Sequence, residues 1–291
     1  MSSGVLFDAP GPRTIARHRI YTVISALSIA AFVAWVIWRF YENDQFTAEK
    51  WEVFTTPEYV RVLLVDGLLK TLQMAGTALV GAVVLGFVLG VGKLSEHRWI
   101  RWPAWLVVEF FRAVPVLLLM IFLWYTFGIK NPGSDYWAVV VALTLYNGSV
   151  LAEILRAGVL AVPQGQSEAA YAIGMRKTQV MNIVLMPQAV KIMLPAIISQ
   201  CVVALKDTAL GFAVTSPGLT YVVKQIYLEF QNRVPAIIVV ASMYILVNLI
   251  LTWLATLAQK KFVGEKEPLQ INATGTGPII GGGPVAGGPR M

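Results

Sequence analysis

The sequence predicts an all-α integral membrane protein with about six transmembrane helices. Of its 291 residues, 57% are hydrophobic and 13% are charged, whereas soluble domains carry about 25% charged residues. Six apolar stretches each have 19 or more residues, enough for a helix to cross about 30 Å of hydrocarbon. They lack the alternation of strands, and a helix satisfies its own backbone hydrogen bonds in lipid. The stretches lie near residues 20–40, 67–92, 104–128, 137–162, 191–214 and 235–259.

The first part of the chain is divided by its charges. Residues 1–19 are basic and are predicted to form a cytoplasmic N-terminal segment, followed by the first transmembrane helix at 20–40. A cleaved secretion signal is not predicted, because the apolar run is too long and no small-residue cleavage site follows it. Residues 41–66 contain six acidic side chains and are predicted to form an external loop.

The rest of the chain is predicted to form a five-helix core and a tail. The core covers residues 67–262 and contains a polar loop at 163–187. The tail, residues 263–291, is rich in glycine and proline and has no apolar periodicity. We expect the tail to be disordered, because such a composition cannot bury enough apolar surface to fold.

Basic residues predict the orientation of the helices. With the N-terminus inside, the inner segments hold 13 of the 23 Lys and Arg residues, and the outer loops hold 6. Because cytoplasmic loops carry an excess of Lys and Arg, both termini and the 163–187 loop are predicted to be cytoplasmic. The net charge of +7 therefore reflects membrane orientation, and no nucleic acid partner is expected.

Motifs for catalysis, metals and nucleotides are absent from the sequence. The nearest approach to a phosphate-binding loop is Gly92-Lys93, but Leu94 replaces the required Ser or Thr. One cysteine, Cys201, allows no internal disulfide, and the histidines are isolated. No metal site, bound cofactor or catalytic residue is predicted. Ala82, Gly86 and Gly90 instead form a small-residue face for close helix packing.

The 163–187 loop contains a predicted short helix outside the membrane. Ser167 suits the N-cap position, Glu168 complements the helix dipole, and Gly174 suits the C′ position, where φ is positive. Ala169, Ala170 and Tyr171 are predicted to form a small ridge that can fit a groove of another protein. Local packing is the alternative interpretation of such a helix.

This loop resembles a known motif. Glu168-Ala169-Ala170, Gly174 and Pro187 have the spacing of the EAA loop in permease subunits of binding-protein-dependent ABC importers. Val184 and Met186 replace the usual Ile and Leu, and both replacements are apolar. The resemblance implies the ABC type I importer permease fold and a coupling helix that docks on an ATPase subunit.

Three further segments, 109–115, 152–158 and 205–208, resemble those of polar amino acid importers in the bacterial plasma membrane. The resemblance covers about residues 60–262 and is greatest to glutamate or glutamine permease subunits of actinobacteria. It implies a dimer of ATPase subunits that binds ATP and Mg²⁺, an external substrate-binding protein, and a second permease. The second permease can be a paralogue, which we favour, or an identical chain.

Six charged residues lie within or at the ends of the predicted spans. A charge at the centre of the bilayer costs about 2.5 kcal/mol or more, so these residues must be paired, hydrated or interfacial. Glu109 with Arg112, and Glu153 with Arg156, are spaced for pairing on one helix face. Glu109, Arg156 and Asp207 are therefore predicted to be in structural ion pairs.

The alternative role of such polar groups is to line a translocation path. An amino acid needs an acceptor for its ammonium group and donors for its carboxylate. The sequence predicts path residues in the fourth span and in neighbouring helices. They are Asn147, Ser149, Glu153, Arg112 and Lys206.

The residues alone leave two other classes of function to consider. An autonomous ion-coupled carrier or channel would use the embedded charges directly and would transport without an ATPase. A membrane enzyme would need a nucleophile and a base in one cluster, and none is recognisable in the sequence. The ATP-driven importer is the leading hypothesis.

Overall fold

The structure is a computed structural model that describes residues 11–128 and 133–263, and these residues contain helices and no strands. Most of the predicted tail therefore lies outside the described residues. The helices, in chain order, are α1 (Pro12–Glu42), α2 (Ala48–Glu52), α3 (Pro57–Leu94), α4 (Arg98–Ala113), α5 (Val116–Phe127), α6 (Ser134–Leu160), α7 (Gln164–Ala172), α8 (Lys177–Val214), α9 (Leu219–Phe230) and α10 (Arg233–Val263).

Five of these helices, α1, α3, α6, α8 and α10, are long and apolar enough to cross a membrane. Several begin earlier than the apolar stretches predicted: α1 begins within the supposed N-terminal segment, and α3 begins within the supposed external loop. α2 also lies in that loop. Apolar content underestimates helix length because a helix continues with polar residues beyond the hydrocarbon.

The third predicted span, 104–128, is not one straight helix. α4 and α5 meet at an angle of 98°, and the break is at Val114-Pro115. Proline disfavours the helical conformation of the residue before it, and Val114 is extended, with φ −79° and ψ 126°. The third predicted span is therefore two helices joined by a sharp bend.

α4 and α5 together make one crossing. Along α3, Gly81 lies against Thr144 of α6, Gly86 against Gly148, and Gly90 against Ala152. The two helices therefore run in the same direction, and the chain between them must cross back. With this crossing, the described residues cross the membrane six times, in agreement with the predicted fold class.

The α3–α6 contact is the most extensive helix pair in the described chain, and glycines allow it. A methyl group on Gly86 would lie 2.7 Å from Leu151 Cβ, and one on Gly90 would lie 2.7 Å from Leu155 Cδ2. Ala82 is also fully buried. The predicted small-residue face is confirmed, because only small side chains permit this approach of two backbones.

Apolar side chains pack in three clusters. One cluster joins α3, α5 and α6 around Met74, Met120 and Leu143. A second joins the start of α3 to α9 and α10. The third joins the end of α6 to α8 and includes Val162 and Ala189. By contrast, the most apolar window of α1 buries no residue against the rest of the described chain, so lipid or another protein must cover this helix.

Candidate functional site: the coupling loop and the embedded charges

The predicted loop helix is present as α7, but it begins earlier than expected. Pro163 occupies the N-cap position and Gln164 is the first helical residue. Ser167 lies inside the helix, where its hydroxyl donates a hydrogen bond to the Gln164 carbonyl oxygen at 2.8 Å. The assignment of Ser167 as the N-cap was therefore wrong, because Pro163 sets the start of the helix.

The end of α7 agrees with the sequence. Gly174 has φ +82°, a conformation that favours glycine. Its N–H donates to the Tyr171 carbonyl oxygen at 2.9 Å, and the Met175 N–H donates to that of Ala170 at 3.2 Å. These two bonds form a Schellman motif, which ends the helix sharply and turns the chain towards α8.

Most of the circumference of α7 is exposed and accessible to a partner. Glu168, Ala169 and Tyr171 are exposed, whereas Ala170 is buried. The prediction that Ala170 belongs to the docking ridge is therefore wrong, because its side chain faces the chain's own interior. Ile173, which no sequence motif indicates, is 79% exposed. We call Glu168, Ala169, Tyr171 and Ile173 the coupling surface.

The loop packs against the start of α8. α7 packs against Val180–Leu185, a π-helical turn near the start of α8. Pro187 is exposed and lies at the start of the α-helical segment that follows this turn. Pro187 is thus in the supporting helix and not in α7 itself.

The embedded charges form a network around a lysine that lies just beyond the second predicted span. Lys93, at the end of α3, has a side chain that is 4% exposed. Its Nζ lies 3.2 Å from Glu109 Oε1 on α4 and 2.5 Å from Glu153 Oε2 on α6. Arg112 lies 3.5 Å from Glu109, and Arg156 lies 2.9 Å from Glu153. Both pairs spaced by three residues are thus part of a larger cluster.

This network borders a cavity of 620 Å³ at the ends of α3, α4 and α6. Glu109, Glu153 and Arg156 contribute to its wall, together with Trp102 and Trp105. Charged residues from the loop after α3 and from the start of α8 complete the lining. Charged and apolar side chains therefore share the wall of the cavity, which lies on the same side of the bundle as α7.

A second ion pair contributes to the wall of the same cavity. Glu96, in the loop after α3, accepts a hydrogen bond from the Lys177 ammonium group at the start of α8. This bond and the positive charge of Lys177 lower the pKa of Glu96 below its ordinary value. The Glu96 carboxyl group therefore stays ionised at neutral pH.

Asn147 and Ser149 are buried inside the chain, at 1% and 0% exposure. The Asn147 carbonyl oxygen Oδ1 accepts a hydrogen bond from Gln200 Nε2 on α8 at 2.6 Å, and its Nδ2 donates to the Leu143 carbonyl oxygen at 2.8 Å. Asn147 thus joins two crossing helices, and it has no exposed place on a path. Gln200 was missed because its partner lies 53 positions away in the sequence.

Lys206 and Asp207 differ from the other embedded charges. Neither residue has a salt bridge in the part of the chain that the structure describes, so the ion pair predicted for Asp207 is not seen. Lys206 borders a groove of 470 Å³ between α8 and α10, beside Tyr244 and Asn248. Over the same described ranges, no cluster of three metal-ligating side chains occurs.

The Asn147–Gln200 bond gives a test of the structural role of Asn147. We expect Asn147→Ala to lower the thermal stability of the purified protein by about 0.6–1.7 kcal/mol, the range for hydrogen bonds between membrane helices. Gln200→Ala should lower the stability of the Asn147→Ala variant by less than it lowers the stability of the wild type, because the shared hydrogen bond is already lost in that variant. Thermal unfolding of both single variants and the double variant measures this coupling. Strict additivity would contradict the bond.

The fold and loop define a class: a multi-pass membrane protein with a helix exposed on the loop between two crossings. Residues 82–264 match the family described as "Binding-protein-dependent transport system inner membrane component". This match covers more than half of the chain, and the protein therefore belongs to that family. The family consists of transporter permease subunits and not of enzymes.

Individual relatives support this assignment. The chain is 43% identical, over 75% of its length and 82% of the relative's, to the glutamate transport system permease protein GluD of Corynebacterium glutamicum. It is 31% identical, over 68% and 91%, to the arginine transport system permease protein ArtQ of Bacillus subtilis. A crystal structure of an amino acid ABC transporter with histidines matches 72% of this chain and 98% of that chain, with 29% identity and a TM-score of 0.66.

Proposed function

We propose that this protein is the permease subunit of an ATP-driven importer that moves a polar amino acid into the cell, with glutamate as the first candidate and glutamine as the second. The observation that carries the proposal is the 43% identity to a glutamate transport permease, which extends over three quarters of the chain. The exposed coupling surface of α7 supports the same conclusion.

In this proposal the chain hydrolyses no ATP. A dimer of ATPase subunits binds ATP and Mg²⁺ and docks on the coupling surface, and an external binding protein delivers the amino acid. A second permease, a paralogue or an identical chain, completes the complex. When ATP brings the ATPase subunits together, α7 of each permease moves with them, and α6 and α8 transmit this movement into the membrane.

The substrate path in this proposal has one carboxylate and two cations. Lys206 lies beside the groove between α8 and α10 and has no ion partner in the described residues, so its ammonium group is available for a substrate carboxylate. Glu153 lies on the wall of the 620 Å³ cavity. Arg112 borders a further cavity of 370 Å³. These three residues keep their places among the proposed path residues.

The test is uptake by the complete complex in proteoliposomes. Labelled glutamate uptake should require ATP, the ATPase and the binding protein, and unlabelled glutamate or glutamine should compete more strongly than histidine. Competition by no polar amino acid would contradict the substrate class. Uptake by the permease alone would instead show an autonomous carrier and overturn the proposal.

A further inference from the structure

The end of α3 is joined to the chain on both sides of the coupling loop. Before the loop, Lys93 Nζ binds Glu153 of α6 at 2.5 Å. After the loop, Glu96 binds the ammonium group of Lys177, the first residue of α8. Residues 93–96, which we call the anchor segment, therefore hold the two helices from which the coupling loop extends.

The connection from Glu153 to α7 is short and rigid. α6 continues from Glu153 to Leu160, and only three residues separate its end from α7. One of them, Val162, is buried against Ala189 of α8. Because no flexible linker intervenes, a displacement of α7 must also displace the end of α6 and the Glu153 carboxylate.

Lys93 also joins this region to another crossing. Its second carboxylate partner, Glu109, lies on α4, which continues through the 98° bend into α5. α5 contributes Leu119 and Met120 to the cluster that packs against α3 and α6. A single ammonium group is thus shared by α4 and α6, at the level from which the coupling loop leaves the bundle.

The network can change partners at low cost. Losing one partner of a buried ion pair is costly when the remaining charge has no other partner. Here Arg112 already accompanies Glu109, and Arg156 already accompanies Glu153. Each carboxylate therefore keeps a cation when it leaves Lys93. By contrast, the glycine-mediated contact of α3 with α6 is tightly packed, so its side chains have no alternative partners.

We propose that the anchor segment couples movement of α7 to the crossing helices, with Lys93 as the positioning residue that links α6 to α4 through their carboxylates. This inference rests on the proposed function and adds to it the residues through which ATP-driven movement reaches the membrane. Lys93 is not assigned any contact with substrate. Its role is to make α4 and α6 move together with the coupling loop.

The experiment measures the amino acid imported per ATP hydrolysed by the complete reconstituted complex. We expect Lys93→Met to lower this ratio by about twofold to thirtyfold, the range for residues that transmit coupling. Lys70→Met is the matched control, because Lys70 is an exposed residue of the same helix. Lys70→Met should keep the wild-type ratio.

The exposed ion pair of Glu96 and Lys177 provides variants that are expected to fold, so they test the inference even if Lys93→Met does not fold. Glu96→Lys and Lys177→Glu should each lower the ratio, and the double exchange, which restores opposite charges, should recover it. If Lys93 had only a structural role, its substitution would reduce the amount of assembled complex and leave the ratio of amino acid imported to ATP hydrolysed unchanged. That result for Lys93→Met, or failure of the double exchange to restore a lost ratio, overturns the inference.

The wild-type complex separates this inference from the proposed function. If the wild-type complex imports no amino acid with ATP, the proposed function and the inference fail together. If the wild-type complex imports amino acid and the Lys93 and Glu96 variants keep its ratio, the inference alone fails.

Discussion

Replacing Gly86 with alanine is expected to destabilise the protein by about 1–3 kcal/mol, the typical cost of overpacking a closely packed interior. The added methyl group would lie 2.7 Å from Leu151 Cβ and 2.9 Å from the Gly148 carbonyl oxygen. The second neighbour is backbone, so it cannot avoid the clash by changing rotamer. α3 and α6 would have to separate along their most extensive contact.

An opposing effect must be considered, because alanine favours helix over glycine by about 1 kcal/mol. Gly76→Ala isolates this effect, since Gly76 lies in the same helix and a methyl group there meets no atom within 4 Å. We expect Gly76→Ala to preserve or raise the melting temperature and Gly86→Ala to lower it. Thermal unfolding of both purified variants in one detergent makes the comparison. Equal melting temperatures would contradict the close approach of α3 and α6.

The crossings and the coupling loop could be predicted because each depends on local properties of the chain. Lipid allows only helices in such segments, so long apolar stretches indicate crossings without knowledge of their neighbours. Gly174 was predicted correctly because the positive φ at the end of a helix is a local requirement. The break at Pro115 also had a local cause, but a proline inside a span does not by itself determine the bend angle.

The charge network could not be predicted because its central contact is not local. Lys93 and Glu153 are 60 positions apart, and Lys93 lies at the end of an apolar stretch, where a cation usually reaches the membrane surface. Only the packing of α3 against α6 shows that its side chain is buried. The same reason applies to Asn147, because a polar residue in a span can face a path or a neighbouring helix. The hydrogen bond to Gln200 shows that Asn147 faces a neighbouring helix.

For Ala170, helix periodicity alone predicts a role different from that of its two neighbours. The residue lies between Ala169 and Tyr171, both exposed, and successive residues of a helix are rotated by about 100°. Three consecutive residues cannot all belong to one narrow ridge. The small size of Ala170 instead lets α7 pack closely on the π-helical turn of α8, so the alanines of the motif have different roles.

Ala169→Arg is expected to abolish ATP-driven uptake while the isolated permease stays folded. Ala169 is exposed, so the larger side chain creates no clash within the chain. In the proposed complex, the arginine would stand where the Ala169 methyl group is expected to contact the ATPase subunit. Loss of a central interface contact typically costs about 2 kcal/mol or more, which corresponds to roughly 30-fold weaker binding of the ATPase.

The matched control is Thr55→Arg, which adds the same charge at an exposed position in the predicted external loop. Both variants should show the wild-type melting temperature, because neither position is buried. Affinity for the purified ATPase and uptake in proteoliposomes then separate the two variants. Thr55→Arg should match the wild type, whereas Ala169→Arg should bind the ATPase roughly 30-fold more weakly and show no ATP-driven uptake. Wild-type ATPase binding by Ala169→Arg would show that α7 does not dock through this surface. Since the charge and fold are matched, the position of the new side chain is the only remaining cause of a difference.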